Sequence, residues 1–127
     1  METPLPRLLV IDDDFYLRGL FKTGISKEGF EVGTAADGLE GLDMIASFKP
    51  DIILLDLMMP ILNGFAFIDK VKERGCTDIP IVIMTGYWEE TSERRLRQEP
   101  NVFEVLKKPL PFTELADMLH DVLAKRK

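Results

Sequence analysis

The sequence lacks the features that mark secreted and membrane-embedded proteins. Its single cysteine, Cys76, excludes an internal disulfide framework and is typical of a protein in a reducing cytosol. No apolar run approaches the roughly 20 residues that a membrane-spanning helix requires. Residues 1–6 do not pair a basic segment with an apolar one, so they do not look like a signal peptide. These absences predict a cytoplasmic protein that does not enter a membrane.

Negative charge also exceeds positive charge. Lys and Arg number 16 against 22 Asp and Glu, which leaves a formal net charge of -6. A chain this acidic repels phosphate on average, so we expect neither nucleic-acid binding nor association with an anionic membrane. The length of 127 residues suits one domain, since single domains most often have about 100–150 residues. We therefore expect a single domain over residues 1–127.

Short apolar runs alternate along the chain with segments of helical periodicity. Three runs contain almost no polar residue, which is typical of strands buried on both faces of a parallel sheet. Each intervening segment carries one apolar stripe, as helices that cover a sheet do. Five such units predict an α/β three-layer sandwich around a doubly wound, five-stranded parallel sheet. The predicted strands are residues 8–11, 30–35, 52–55, 79–84 and 102–106.

The predicted helices differ in the strength of their signals. Asp37 and Glu40 have the spacing of a capping box and predict the start of the second helix. The fourth helical segment, residues 89–98, is largely polar, and Leu96 is its only large aliphatic residue. A segment with so little apolar surface is expected to pack loosely.

Carboxylates, a hydroxyl group and ammonium groups follow the predicted strands. The carboxyl ends of parallel strands meet at one edge of a sheet, where sites form in α/β folds. Crowded carboxylates repel one another, and a divalent cation relieves that repulsion. An all-oxygen ligand set favours a hard cation such as Mg²⁺, and zinc is not expected without Cys or His. The side chains at this edge are those of Asp12, Asp13 and Asp14, of Asp56, of Thr85, and of Lys107 and Lys108.

A carboxylate in such a set can act as a nucleophile. Aspartate attacks phosphoryl donors and forms an aspartyl phosphate. A nearby lysine offers a point charge to a phosphoryl oxygen, and a threonine hydroxyl can donate a hydrogen bond to the same group. Mg²⁺ and the lysine would spread the developing negative charge. These residue types therefore indicate phosphoryl transfer to the protein itself.

The order of these motifs resembles the receiver domain of bacterial two-component response regulators. The matching segments are residues 10–13 (Val-Ile-Asp-Asp), 36–38 (Ala-Asp-Gly), 51–64 with Asp56, Met59-Pro60 and Gly64, Thr85-Gly86, and Lys108-Pro109. Together they span roughly residues 6–125, and four motifs in order are far more specific than any one of them. The resemblance, which is to single-domain, chemotaxis-regulator-like receivers, implies a flavodoxin-like (βα)5 fold.

The resemblance also implies a role for each matching residue. Asp56 would accept the phosphoryl group, while Thr85 would hydrogen-bond that group and Lys108 would pair with it. The residues alone leave open which members of the acidic run act and whether Lys107 competes with Lys108. The family pattern favours Lys108, and it leaves Asp14 to start the first helix. The implied Mg²⁺ ligands are Asp13 directly, Asp12 mainly through a water, Asp56, and the backbone carbonyl of Met58.

Two positions depart from the family pattern. Val105 stands three residues before Lys108, where the family has Tyr or Phe, so one part of the usual threonine–aromatic switch is missing. Phe103 would lie on the same face of a regular strand and is a candidate substitute. Tyr87 occupies a place where family members tune dephosphorylation, and with Met58 it predicts slow self-dephosphorylation.

Three classes of function compete for this sequence. The first is a signalling switch phosphorylated by a sensor histidine kinase, a histidine phosphotransfer protein or a small donor, with no enzymatic turnover beyond its own phosphorylation and dephosphorylation. The second is a small enzyme or cofactor-binding protein on a similar fold. A flavin-binding protein is disfavoured because the acidic loop after the first strand repels phosphate. A haloacid-dehalogenase-type phosphatase is disfavoured because it needs a second Asp at position 58, where this chain has Met. The third is a pseudo-receiver, an interaction module without switching. We expect the signalling switch. Its output would be a downstream protein target or an output domain outside this sequence. The domain itself would be a monomer or a weak phosphorylation-dependent dimer.

Overall fold

The computed structural model describes residues 4–57, 59, 61–86, 90–108 and 110–125, with residues 90–92 described by their backbone alone. Strands and helices alternate throughout these residues, as the apolar periodicity predicts. The strands are β1 (Arg7–Ile11), β2 (Glu31–Ala35), β3 (Ile52–Leu55), β4 (Ile81–Thr85) and β5 (Val102–Lys107). The helices are α1 (Phe15–Ser26), α2 (Gly38–Phe48), α3 (Gly64–Glu73), α4 (Glu90–Arg97) and α5 (Phe112–Lys125).

All five strands are parallel and lie in the order β2-β1-β3-β4-β5. From β1 the chain adds β2 on one side, and it then crosses back to add β3, β4 and β5 on the other side of β1. The order of the strands therefore reverses between β1 and β3. Helices α1 and α5 cover one face of the sheet, and α2, α3 and α4 cover the other. The predicted doubly wound sandwich is confirmed. Sites in such sheets form where the winding direction reverses, which points to the carboxyl ends of β1 and β3.

The burial of each strand follows its place in the sheet. Every residue of β3 and β4, and residues 8–11 of β1, are buried, because helices cover both faces of the inner strands. The edge strands β2 and β5 mix buried and exposed residues. Among the helices that the structure describes, none has the length and apolarity needed to cross a membrane.

Strand β4 begins and ends later than the sequence predicts. It starts at Ile81 rather than at position 79, since Pro80 has no N–H to donate to a ladder; its carbonyl accepts a hydrogen bond from the Ile53 N–H at 3.0 Å. It ends at Thr85, which pairs with Lys107 of β5. Thr85 is thus the last residue of the strand and not the first residue of the following loop.

An irregularity near the start of β5 decides which side chain lies beneath α4. Ile81 pairs with Val102, but the next residue of β4, Val82, pairs with Glu104, so Phe103 is an extra residue in β5. Phe103 is consequently 43% exposed, whereas Val105 is only 4% exposed. The expectation that Phe103 shares a face with Val105 and substitutes for the family aromatic is wrong, because the strand is not regular there.

Helix α4 is attached largely through polar groups, in line with its composition. Leu96 is buried among the residues of the α2–α4 core, and the Arg95 guanidinium lies 4.6 Å from the centre of the Phe65 ring. Arg97 contacts Glu93 and Glu104 at 2.8 Å each and donates to the Val105 carbonyl at 3.3 Å. These carboxylates, Glu93 first, raise the pKa of Arg97. Among the described side chains, the guanidinium is the principal polar link between α4 and β5.

Candidate acidic site at the carboxyl ends of the strands

The register between β1 and β3 brings two aspartates side by side. Ile11 pairs with Leu55, so the next residues, Asp12 and Asp56, leave the sheet at the same level. The Asp56 N–H donates to the Ile11 carbonyl at 3.0 Å, and the Asp12 N–H donates to the Ala35 carbonyl at 3.1 Å. Backbone hydrogen bonds to the adjacent strands therefore hold both aspartates in place. Asp12 is 2% exposed and Asp56 is 9% exposed.

Asp13 completes a cluster of three carboxylates with Asp12 and Asp56. One oxygen of each residue lies within 4.8 Å of the others, and Asp13 is the exposed member of the group. Three hard oxygen donors at this separation, two of them partly withdrawn from water, suit a small divalent cation. The donor set contains no sulfur or imidazole, so its chemistry fits Mg²⁺ better than zinc.

Lys108 supplies the positive charge of the site. Its Nζ lies 3.0 Å from an oxygen of Asp12 and 3.7 Å from an oxygen of Asp56. The Lys108 N–H donates to the Thr85 carbonyl at 2.9 Å, so the end of β5 is fixed to the end of β4. Lys107 is exposed. Of the two lysines that the sequence left in competition, Lys108 is the one that reaches the aspartates.

Thr85 is 2% exposed and ends β4, where it pairs with Lys107, the last residue of β5. Gly86 follows it, and a Cβ at position 86 would lie 4.0 Å from Cδ of Lys108. The threonine is therefore a buried polar residue at the same edge of the sheet as the lysine. The structure places Thr85 beside the region that the motifs indicate.

Asp14 is separate from the acidic cluster. Its side chain caps α1, accepting hydrogen bonds from the Tyr16 N–H at 2.9 Å and the Leu17 N–H at 3.2 Å. Its own N–H donates to Asp12 Oδ1 at 2.9 Å. The interpretation of Asp14 as the start of the first helix is confirmed, and the turn that it forms leaves Asp12 and Asp13 for the site.

The loop after β3 is closed by a glycine that leaves no room for a side chain. The Gly64 N–H donates to the Leu57 carbonyl at 2.9 Å. A Cβ on Gly64 would lie 2.8 Å from Cα of Leu57 and 3.3 Å from the carbonyl oxygen of Asp56. Helix α3 thus begins directly against the backbone of the candidate phosphoacceptor. Ile61, within this loop, has a left-handed φ of 69° and is 75% exposed.

Arg18 is a residue of this region that the sequence did not indicate. Its Nη1 donates to the Asp12 backbone carbonyl at 2.9 Å. Its position in the second turn of α1 follows from the helical pattern, but nothing in the sequence shows that its side chain turns back toward β1. Four residues named from the sequence lie outside the described residues: Met58, Pro60, Tyr87 and Pro109.

Comparison with known proteins identifies the family. The sequence profile of the response regulator receiver domain matches residues 8–120. The chain belongs to this family. Response regulator MprA of Mycobacterium avium is 36% identical over 121 residues, which are 95% of this chain and 52% of that protein. MprA of Mycobacterium tuberculosis shows the same identity and coverage. This receiver domain thus spans about half the length of the curated relatives it matches.

Solved receiver structures agree with the fold. The chemotaxis protein CheY4 of Vibrio cholerae is 27% identical, with a TM-score of 0.85 over 93% of this chain and 98% of that one. A CheY-like receiver domain protein from Methanospirillum hungatei is 25% identical, with a TM-score of 0.86 and 96% coverage of both chains. The flavodoxin-like fold and the resemblance seen in the motifs are both confirmed. The chain is a receiver domain of the two-component type.

Proposed function

We propose that this receiver domain accepts a phosphoryl group on Asp56 in a Mg²⁺-dependent reaction and signals through a change of conformation. The observation that carries the proposal is the juxtaposition of the nearly buried Asp56 with Asp12, Asp13 and Lys108. A carboxylate with an ammonium group within 4 Å and two further acids around it is arranged for phosphoryl chemistry rather than for packing.

The donor is a phosphohistidine of a histidine kinase or of a phosphotransfer protein. An Asp56 carboxylate oxygen forms a bond to phosphorus while the bond from phosphorus to the donor nitrogen breaks, and the imidazole leaves with its electron pair. Asp12, Asp13 and Asp56, with the Met58 carbonyl, would hold Mg²⁺. When bound, the ion stabilises the negative charge on the transferring group.

Lys108 and Thr85 act on the phosphoryl group after transfer. Lys108 Nζ already lies 3.7 Å from Asp56, so a small movement lets it pair with a phosphoryl oxygen. Thr85 donates its hydroxyl hydrogen bond to the same group. Water then hydrolyses the aspartyl phosphate, which releases inorganic phosphate and returns the Asp56 carboxylate to its starting state.

The conformational signal is read on the face formed by α4, β5 and α5. Thr85 ends β4, and β4 pairs along its whole length with β5, so a shift of Thr85 bears directly on this face. The family aromatic is absent here, because Val105 stands at its position and is buried, and the nearby Phe103 is 43% exposed. The signal therefore passes through the packing of α4 on β5, where Arg97 holds the two elements together.

The domain acts in the cytoplasm as a single unit over residues 1–127, as a monomer or a weak phosphorylation-dependent dimer. Its output is a protein target or a further domain of the kind that the longer relatives have room for. It makes no direct contact with nucleic acid itself, in keeping with its net charge of -6.

The test is intact mass spectrometry after incubation with acetyl phosphate and Mg²⁺. We expect the wild type to gain the mass of one phosphoryl group and Asp56→Asn to gain none. Asp14→Asn is the matched control, because asparagine retains the helix cap while one acid next to the site is removed. It is expected to be phosphorylated like the wild type. EDTA should prevent phosphorylation of both.

Two outcomes would contradict the proposal. A phosphoryl group on Asp56→Asn would mean that another side chain is the acceptor. A wild type that binds Mg²⁺ but takes no phosphoryl group from acetyl phosphate or from phosphohistidine donors would indicate a pseudo-receiver instead.

A further inference from the structure

Arg18 makes a contact with the acidic site that the phosphoryl chemistry described above does not use. Its Nη1 donates to the backbone carbonyl of Asp12 at 2.9 Å. The guanidinium carbon lies 5.7 Å from the centre of the Phe15 ring, on the preceding turn of the same helix. The arginine is half-buried, and the carbonyl belongs to a residue that is 2% exposed. The guanidinium is therefore held through Nη1 by the Asp12 carbonyl and lies over the Phe15 ring.

The other polar atoms of Asp12 are also engaged. Its N–H donates to the Ala35 carbonyl, its Oδ1 accepts from Asp14, and its Oδ2 accepts from Lys108. These partners come from the end of β2, the β1–α1 turn and the end of β5. Arg18 adds α1 to this set. The orientation of Asp12 thus depends on four separate parts of the fold.

We propose that Arg18 is a positioning residue for the Mg²⁺ site, acting through the backbone of Asp12. This inference rests on the proposed function, since it assigns a role toward the metal that phosphorylation requires. A charged donor forms a strong hydrogen bond to a carbonyl, and groups that orient metal ligands affect affinity without touching the metal. Arg18 keeps the Asp12 peptide from rotating, which keeps its carboxylate directed at the cluster.

The charge of Arg18 and its hydrogen bond have opposite effects on metal affinity. A positive charge near three carboxylates repels Mg²⁺, so an arginine that acted only as a charge would weaken metal binding. Its removal would then tighten binding. If Arg18 orients Asp12, its removal weakens binding. The sign of the change in affinity therefore separates the two roles.

The experiment is a titration of the full chain with MgCl2, followed by two-dimensional NMR of the backbone amides at constant ionic strength. Arg18→Met keeps most of the apolar stem and removes the donor. We expect it to bind Mg²⁺ about tenfold more weakly, the lower end of the range for groups that orient metal ligands. Arg18→Lys retains a charged donor and should recover affinity to within about threefold of the wild type.

Lys22→Met is the matched control. Lys22 is an exposed cation one helical turn beyond Arg18 on α1, so its removal changes the net charge equally. We expect its affinity for Mg²⁺ to equal or slightly exceed that of the wild type. Thermal unfolding without Mg²⁺ shows whether each variant is folded. If Arg18→Met does not fold, Arg18→Gln, which is too short to reach the carbonyl, takes its place with the same expected loss.

The possible results separate this inference from the proposed function. If Arg18→Met binds Mg²⁺ as well as or better than the wild type, the positioning role is wrong while the proposed function stands. If Lys22→Met loses as much affinity as Arg18→Met, the loss is not specific to the Asp12 contact and the inference is also wrong. If the wild type binds no Mg²⁺, the proposed function and this inference fail together.

Discussion

The acidic site should make the metal-free domain less stable than it would be without one of its carboxylates. Asp56 faces two other carboxylates within 4.8 Å, and each repels it by about 3.5 kcal/mol at an effective dielectric constant near 20. Lys108, at 3.7 Å, returns about 4.5 kcal/mol of attraction. Asp13 is exposed to water, which weakens the repulsion between Asp13 and Asp56. We expect Asp56→Asn to stabilise the metal-free domain by about 1–2 kcal/mol.

The burial of Asp56 acts in the same direction, because a neutral amide loses less hydration than a carboxylate when it is withdrawn from water. Lys108 is not left without a partner in the variant, since its shorter contact, 3.0 Å, is with Asp12. The stabilisation should therefore not be cancelled by an unpaired ammonium group.

Urea denaturation at neutral pH, with EDTA and again with MgCl2, measures this effect. Mg²⁺ at ten times its dissociation constant stabilises the wild type by about 1.4 kcal/mol. Asp56→Asn has one fewer carboxylate for the ion and gains less, so Mg²⁺ should remove most of the difference. Asp117→Asn, which neutralises an exposed acid of α5, should change the free energy of unfolding by less than about 0.5 kcal/mol.

The reasoning would be refuted if Asp56→Asn proved no more stable than the wild type in EDTA. It would also be refuted if Asp117→Asn gained as much stability, because the effect would then come from total charge rather than from the cluster. A difference between wild type and Asp56→Asn that Mg²⁺ left unchanged would show that the three carboxylates do not share a metal.

Three further predictions concern packing and pH. Gly64→Ala should destabilise the fold by about 1–3 kcal/mol, since its Cβ would meet backbone atoms, whereas Gly19→Ala in open space on α1 should stabilise it by about 0.5–1 kcal/mol; urea denaturation of the pair checks both. Asn101 is fully buried, and its amide has no hydrogen-bond partner within the described ranges, so Asn101→Leu should raise the urea midpoint and equal stability would contradict this. The hydrogen bond from Lys72 to Glu99 raises the lysine pKa above its usual 10.5. The wild type should therefore have a larger free energy of unfolding than Lys72→Met at neutral pH, and this difference should shrink as the pH rises through the raised pKa. A difference that stayed constant with pH would contradict the prediction.

Signals that act over a few neighbouring residues could be read from the sequence. Asp37 accepts from the Glu40 N–H at 2.9 Å, as the capping-box spacing predicts. The Glu40 carboxylate accepts from the Ala36 N–H, one residue before the cap. The inner strands were visible as uninterrupted apolar runs, because both of their faces lie against helices. The acidic residues were candidates because parallel strands end at one edge of a sheet, whichever strands are neighbours.

The tertiary structure decided whatever depends on register between distant segments. The pairing of β1 with β3 sets Asp12 beside Asp56, and the pairing of β4 with β5 makes Lys108 rather than Lys107 the lysine that reaches them. One extra residue in β5 turns Phe103 outward, which a regular strand would not do. The contact from Arg18 to Asp12 likewise requires α1 to pack back against the sheet. Local patterns determine which elements form and which residues end them, but contacts between elements depend on long-range packing, where a shift of one residue moves a side chain to the opposite face.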